Sequence, residues 1–142
     1  MDDFLLIEDD PAQVSLARLA IEELAIPIQL DWAASAEVAW EKLTSRKQPN
    51  EQLPSLILCD VQLPGLTGFQ LIEMIRQDPV FALIPIALCS LDRHYKCAAT
   101  AYEAGANFFL AKPIDYVELL NQMEGLIRFC LWAKKGKDAI RT

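Results

Sequence analysis

A run of apolar residues that stops on a carboxylate constrains this chain most. Leu56, Ile57, Leu58 and Cys59 lead into Asp60, and the loop that follows carries Pro64, Gly65 and Gly68. An apolar run of strand length, bounded by turn residues, reads as a strand buried on both faces of a parallel sheet. Its last residue then opens at the C-terminal edge, where parallel α/β sheets bind their ligands. Asp60 is therefore the first candidate for chemistry.

The rest of the chain repeats the same alternation. Residues 4–7 are apolar and stop at Glu8, Asp9 and Asp10, and Pro11 suits the first turn of a helix. Val14, Ala17, Ile21 and Leu24 then recur at helical spacing. Ile28, Leu30 and Trp32 alternate as in a strand, and Ser35 can cap a helix that runs to Leu43 and buries Ala36, Leu43 and either Ala39 or Trp40. The hydrophilic stretch 45–54 leads from a helix into a strand, so it is expected at the sheet end away from Asp60. After Asp60, residues 69–77 predict a helix and 84–89 a buried strand that ends on Ser90. Residues 92–104 predict a weaker helix stopped by Gly105, 108–110 a short strand leading to Lys112 and Pro113, and a last helix starts near Asp115. This order predicts an α/β fold: a doubly wound, five-stranded parallel sheet with helices on both faces.

The 142 residues suit one domain, set at 1–133, with a short basic tail over 134–142 in which Lys134, Lys135, Lys137 and Arg141 are expected to be solvated and frayed. Thirteen Lys and Arg against 20 Asp and Glu give a net charge of −7, which disfavours binding to phosphate backbones, so no nucleic-acid partner is expected. The N-terminus lacks the basic start and cleavage site of a signal peptide. No apolar segment approaches the roughly 20 residues that span a bilayer, so no membrane contact is expected and the cytoplasm is the predicted location. Cys59, Cys89, Cys97 and Cys130 lack the paired spacing of a zinc site and read as mostly buried thiols.

Four strand ends thus place polar groups at one edge: Glu8 with Asp9, then Asp60, then Ser90, then Lys112. Clustered carboxylates are hard oxygen ligands that suit Mg²⁺. The cation would neutralise charge, Asp60 could attack phosphorus as a nucleophile, and Ser90 and Lys112 could hold the phosphoryl oxygens. Each residue type has a separate task.

The segment from Ile7 to Pro11, Asp60 with Leu63, Pro64, Gly65, Gly68 and Phe69, Pro85 and Ile86 leading to Ser90, and Gly105 and Ala106 leading to Leu110, Ala111, Lys112 and Pro113 together resemble the receiver domain of two-component response regulators. Any one of these pieces is a weak signal, whereas their order and spacing are specific. The resemblance covers residues 3 to about 130 and implies the flavodoxin-like strand order 2-1-3-4-5. It implies that Asp60 accepts a phosphoryl group from a sensor histidine kinase, a phosphotransfer protein or a small phosphodonor. Glu8, Asp9, Asp60 and the backbone carbonyl of Gln62 would hold Mg²⁺, Ser90 and Lys112 would bind the phosphoryl group, and Phe109 would be the aromatic switch. The family bond before Pro113 is often cis. A signalling protein that autodephosphorylates is implied, not an enzyme that turns over a substrate. As no effector domain follows the last helix, the expected output is contact with an unknown downstream protein.

Two residues depart from the family pattern. Leu91 stands where a small residue is usual and is expected to narrow access to Asp60, and Phe109 lacks the hydroxyl of the frequent Tyr. If Leu91 closes the pocket, the alternative is a phosphorylation-independent interaction module. An aspartate-nucleophile phosphatase would need a second acid at Gln62, and a nucleotide-binding domain a Gly-rich first loop. His94, the single histidine, reads as a surface residue and not as a relay. Because the family sets their strands side by side, Cys59 and Cys89 are expected as neighbours on one face. In the last helix Leu119, Met123, Leu126, Ile127 and Cys130 make one stripe that Tyr116, Leu120, Leu131 and Trp132 widen, which predicts a homodimer through this helix, the alternative being a tail that folds back over the domain.

Overall fold

Five apolar runs become parallel strands because each of the first four is followed by a helix that returns the chain to the same starting edge. The structure, a computed structural model, describes residues 1–91 and 95–141, without the side chains of 95 and 137–141. In chain order it comprises β1 (Asp2–Ile7), α1 (Pro11–Leu24), β2 (Ile28–Ala33), α2 (Ala36–Thr44) and β3 (Leu56–Asp60). There follow α3 (Gly68–Gln77), β4 (Ile86–Ser90), α4 (Tyr95–Ala104), β5 (Phe108–Ala111) and α5 (Tyr116–Arg141). The strand order is β2-β1-β3-β4-β5. β3 and β4 are buried throughout, as two-faced burial of an uninterrupted apolar run requires.

The helix starts are set by short polar side chains. Asp10 accepts from Ala12 N ahead of Pro11, and Ser35 accepts from Val38 N. Thr67 and Gln70 form a reciprocal capping box at the start of α3, and Asp115 accepts from Glu118 N at 2.8 Å at the start of α5.

Two cores lie on the two faces of the sheet. One joins Ile7, Ile57, Cys59 and Leu88 to α2, α3 and α4 through Leu43, Leu71, Ile75 and Ala101. The other joins Leu6, Leu58, Ala87 and Cys89 to α1 and α5 through Val14, Ile21, Met123 and Ile127. Each fully buried Leu or Ile here stabilises the fold by roughly 1.5–3 kcal/mol. Among the described residues no helix is long and apolar enough to cross a membrane.

Several expectations change. β4 begins at Ile86 instead of 84, because Pro85 has no N–H for the ladder, and Ile86 N donates instead to Asn107 Oδ1 at 2.8 Å. Cys59 and Cys89 do not share a face. The register pairs Cys89 with Asp60 and Cys59 with Leu88, so alternation sends the two thiols into opposite cores. The predicted basic tail is helical, since α5 continues to Arg141, and Lys134 donates to Asp2 Oδ1. Most of the wide apolar surface of α5 is absorbed, with Tyr116, Leu120 and Leu131 packing on the α1 side while Trp132 stays exposed. The start predicted for α4 at 92, and His94, lie outside the described residues. The loop 45–54 does sit at the far end, where Arg46 pairs with Asp3 at 2.8 Å and with Asp31 at 2.9 Å.

Candidate functional site

Register explains why three distant residues meet. β1 pairs Ile7 with Cys59, so Glu8 emerges level with Asp60. Alternation points both toward the α1 and α5 side. β3 pairs Asp60 with Cys89, and β4 pairs Cys89 with Leu110, which puts Lys112 two residues beyond that level. Its long side chain spans the difference. Lys112 Nζ donates to Asp60 Oδ2 at 2.8 Å and lies 3.5 Å from Glu8 Oε2.

The site is sheltered. Asp60 and Glu8 are each 6% exposed and Ser90 is 1% exposed, whereas Asp9 is open to solvent. Burial raises the Glu8 carboxyl above the usual carboxylate range, and the Asp60 charge adds to this while Lys112 opposes it. For Lys112, burial pulls the other way, but the hydrogen bond and charge of Asp60, with the charge of Glu8, outweigh it and hold the ammonium above its ordinary value. The lysine is therefore a fixed cation between two acids.

Carboxylate oxygens of Glu8, Asp9 and Asp60 all lie within 4.8 Å of one another. Three hard oxygen donors at this separation, with burial already disfavouring the charge of Glu8, fit a small divalent cation. Gln62 follows on the loop, and its backbone N–H donates to Asp60 Oδ1 at 3.0 Å. Gly68 closes the loop against the strand. Its N–H donates to Val61 O at 3.1 Å, and an added Cβ would stand 2.6 Å from the backbone oxygen of Asp60.

Ser90 ends β4, and its carbonyl accepts from Lys112 N at 3.0 Å. It lies on the opposite parity to Asp60, as does Phe109, which packs on the α3 and α4 side. No described peptide bond is cis, so the Lys112–Pro113 bond is trans, unlike the frequent family form. Leu91 follows Ser90 and is 70% exposed.

Three supporting residues escaped the sequence reading. Trp32 Nε1 donates to Glu8 O at 2.7 Å, Glu37 Oε1 accepts from Leu66 N at 2.8 Å, and Gln122 Nε2 donates to Ala111 O at 3.0 Å. Glu37 also explains Gly65, whose φ is +80° and where a Cβ would stand 2.8 Å from Glu37 Oε1. Glu37 sits in the first turn of α2, where an acid is expected for the helix dipole alone, so nothing in the sequence marked its second partner.

Comparison with known proteins adds a family. A model of the response regulator receiver domain matches residues 4–124. The response regulator Rre1 of Synechocystis sp. is 28% identical over 115 residues, 81% of this chain and 47% of Rre1, so the chain spans about half its length. Among solved structures, the phosphorylated cyanobacterial phytochrome response regulator RcpA superposes with a TM-score of 0.81 at 24% identity, covering 92% of this chain and 94% of that one. The Mn²⁺-bound form of response regulator Rcp1 gives a TM-score of 0.75 at 23% identity, covering 89% of this chain and 91% of that one. These two likenesses speak for the fold.

Proposed function

The chain belongs to the response regulator receiver domain family of two-component systems, and on that premise we propose that Asp60 is its phosphoacceptor. The observation that carries this reading is the meeting of Asp60 with Glu8, Asp9 and Lys112 at the C-terminal edge of the sheet. An Asp60 carboxylate oxygen forms a bond to the phosphorus of a phosphohistidine on a sensor histidine kinase or phosphotransfer protein. The P–N bond breaks, and its electron pair leaves with the imidazole, which takes up a proton from water. Autodephosphorylation later returns the carboxylate: water attacks the phosphorus, the bond from Asp60 oxygen to phosphorus breaks, and inorganic phosphate leaves.

Glu8, Asp9, Asp60 and the carbonyl of Gln62 would hold Mg²⁺, in keeping with the Mn²⁺ described for Rcp1. Bound there, the cation supplies charge neutralisation for the carboxylates and an electrostatic partner for phosphoryl oxygens. Lys112, already oriented by Asp60 Oδ2, transfers a donor to the incoming oxygens, and Ser90 offers its hydroxyl. Movement of Ser90 and inward turning of Phe109, which share one side of the sheet, then reshape the face formed by α4, β5 and α5. That face engages a downstream protein, and α5 joins two copies of the chain. The setting is the cytoplasm.

Intact mass after incubation with a small phosphodonor tests this. The expected result is a single phosphoryl gain that needs Mg²⁺ and is absent from Asp60→Asn. No gain from small donors or from a purified kinase would leave a phosphorylation-independent interaction module.

A further inference from the structure

Between the two acids of the β1 to α1 corner lies a single peptide plane, and the neighbouring strand holds its oxygen and the N–H of the plane before it. Glu8 N donates to Ala33 O at 3.1 Å, which is ordinary continuation of the β1 and β2 pairing. The carbonyl of Glu8 is beyond the ladder, and it accepts instead from the indole of Trp32 at 2.7 Å. A peptide is planar, so fixing its oxygen also fixes the direction in which Asp9 leaves. The backbone on both sides of the Glu8 carboxylate is thereby set by β2.

Satisfaction of a buried indole N–H is the plain alternative, because such groups normally find a partner. Trp32 is half-buried, on the edge strand of the sheet. The ring itself is anchored by packing against the α1 side of the core and by its place opposite Leu6. An anchored ring that reaches past the end of the ladder to one particular carbonyl does more than satisfy itself.

We propose that Trp32 is a positioning residue for the divalent-cation site, acting through the Glu8–Asp9 peptide, which rests on the reading of Glu8, Asp9 and Asp60 as cation ligands. Without the N–H, the peptide can rotate about the torsions at Glu8 and Asp9, and the carboxylates lose their shared orientation. The loss of one such hydrogen bond corresponds to a weakening of about three- to tenfold in cation affinity.

The test is calorimetric titration of Mg²⁺ into the full chain, comparing the wild type with Trp32→Phe and with a chain carrying benzothienylalanine at position 32. The second analogue keeps the bicyclic ring and replaces only the N–H by sulfur. Both are expected to bind Mg²⁺ about three- to tenfold more weakly, while the benzothienyl chain, which lacks only that hydrogen bond, stays folded and melts slightly below the wild type without cation. In phosphorylation assays the half-saturating Mg²⁺ should rise while the rate at saturation holds. Wild-type Mg²⁺ affinity in the benzothienyl chain, with Asp9→Asn weakened, would overturn the role of Trp32 alone. Undiminished binding by Asp9→Asn, or no binding by the wild type, would overturn the cation site and the role of Trp32 with it.

Discussion

Lys112 reaches Asp60 across the full width of β4, with 2.8 Å between Nζ and Oδ2. The contact joins the end of the sheet's edge strand to its centre, and it places one cation between two buried acids. Burial of an ion pair is weak evidence for stability, but removal of one partner leaves charge without compensation. The site is thus held together by the same charges that its chemistry would use.

Lys112→Met is expected to lower stability by about 1–3 kcal/mol near neutral pH, since Glu8 and Asp60 would face each other unpaired in a sheltered site. Burial already raises the Glu8 carboxyl, and loss of the Lys112 charge that opposes this should raise it further, so the variant's stability falls as pH rises through that range. The deficit therefore shrinks on acidification, where the acids take up protons. Urea midpoints of both chains between about pH 4.5 and 7.5 check this, and a deficit that does not depend on pH would show that lost packing is the cause.

Gly68→Ala tests the close approach of α3 to the strand end. The new methyl would stand 2.6 Å from Asp60 O and 3.1 Å from Val61 Cα, both backbone atoms that no rotamer change can move. The expected cost is about 1–3 kcal/mol. Because the displaced peptide carries Asp60, phosphoryl gain should fall by more than Gly125→Ala causes, where a Cβ meets nothing within 4 Å.

How much was legible follows from the range of each signal. β3 was readable because burial on both faces leaves no polar residue within Leu56–Cys59, and the acids at 8, 9 and 60 stand where such runs stop. The early start assigned to β4 ignored a local fact, the missing N–H of Pro85. The parity of Cys59 and Cys89 was of another kind, since it depends on how two strands are staggered, and a shift of one residue reverses it. Trp32 and Glu37 were hidden for a related reason. Each has an adequate local role, and its second partner lies 24 or 29 positions away. The helical course of residues 134–141 was missed because a run of charges reads as a solvated end, and only the folded chain sets Lys134 beside Asp2.

That pairing has a pH signature. The hydrogen bond from Lys134 is the main reason the Asp2 carboxyl sits below its ordinary value, with Ser55 assisting. A depressed carboxyl contributes stability that is present above its unfolded value near 4 and lost as pH falls through the folded value. Both side chains are about one-third exposed, so solvent screens the pair and its worth is below about 1 kcal/mol. Lys134→Met should thus lower the urea midpoint slightly near neutral pH, and the difference from wild type should vanish below about pH 4. Phosphoryl gain should be unchanged, since Asp2 and Asp60 lie at opposite ends of the sheet.

The outer surface of α5 carries the last prediction. Phe108 stacks edge-on against Phe129 with centroids 5.8 Å apart, and Phe129 meets Trp132 at 6.0 Å. Phe129 and Trp132 remain 51% and 70% exposed, so the cluster is formed but not covered. Phe129 escaped the sequence reading although it stands three residues before Trp132, on the same helix face. β5 is the last strand of the sheet, and Phe108, its first residue, belongs to this aromatic patch. If the patch joins two copies, Trp132→Glu should shift the sedimenting mass from dimer to monomer while leaving the melting temperature of the isolated chain nearly unchanged, because an exposed side chain contributes little to its own fold. A phosphoryl mimic at Asp60 should strengthen the wild-type dimer if the switch through Phe109 reaches β5. A monomeric wild-type mass at high concentration, with and without the mimic, would remove the dimer. A dimer that survives both Trp132→Glu and Phe129→Glu would place the contact elsewhere on the chain.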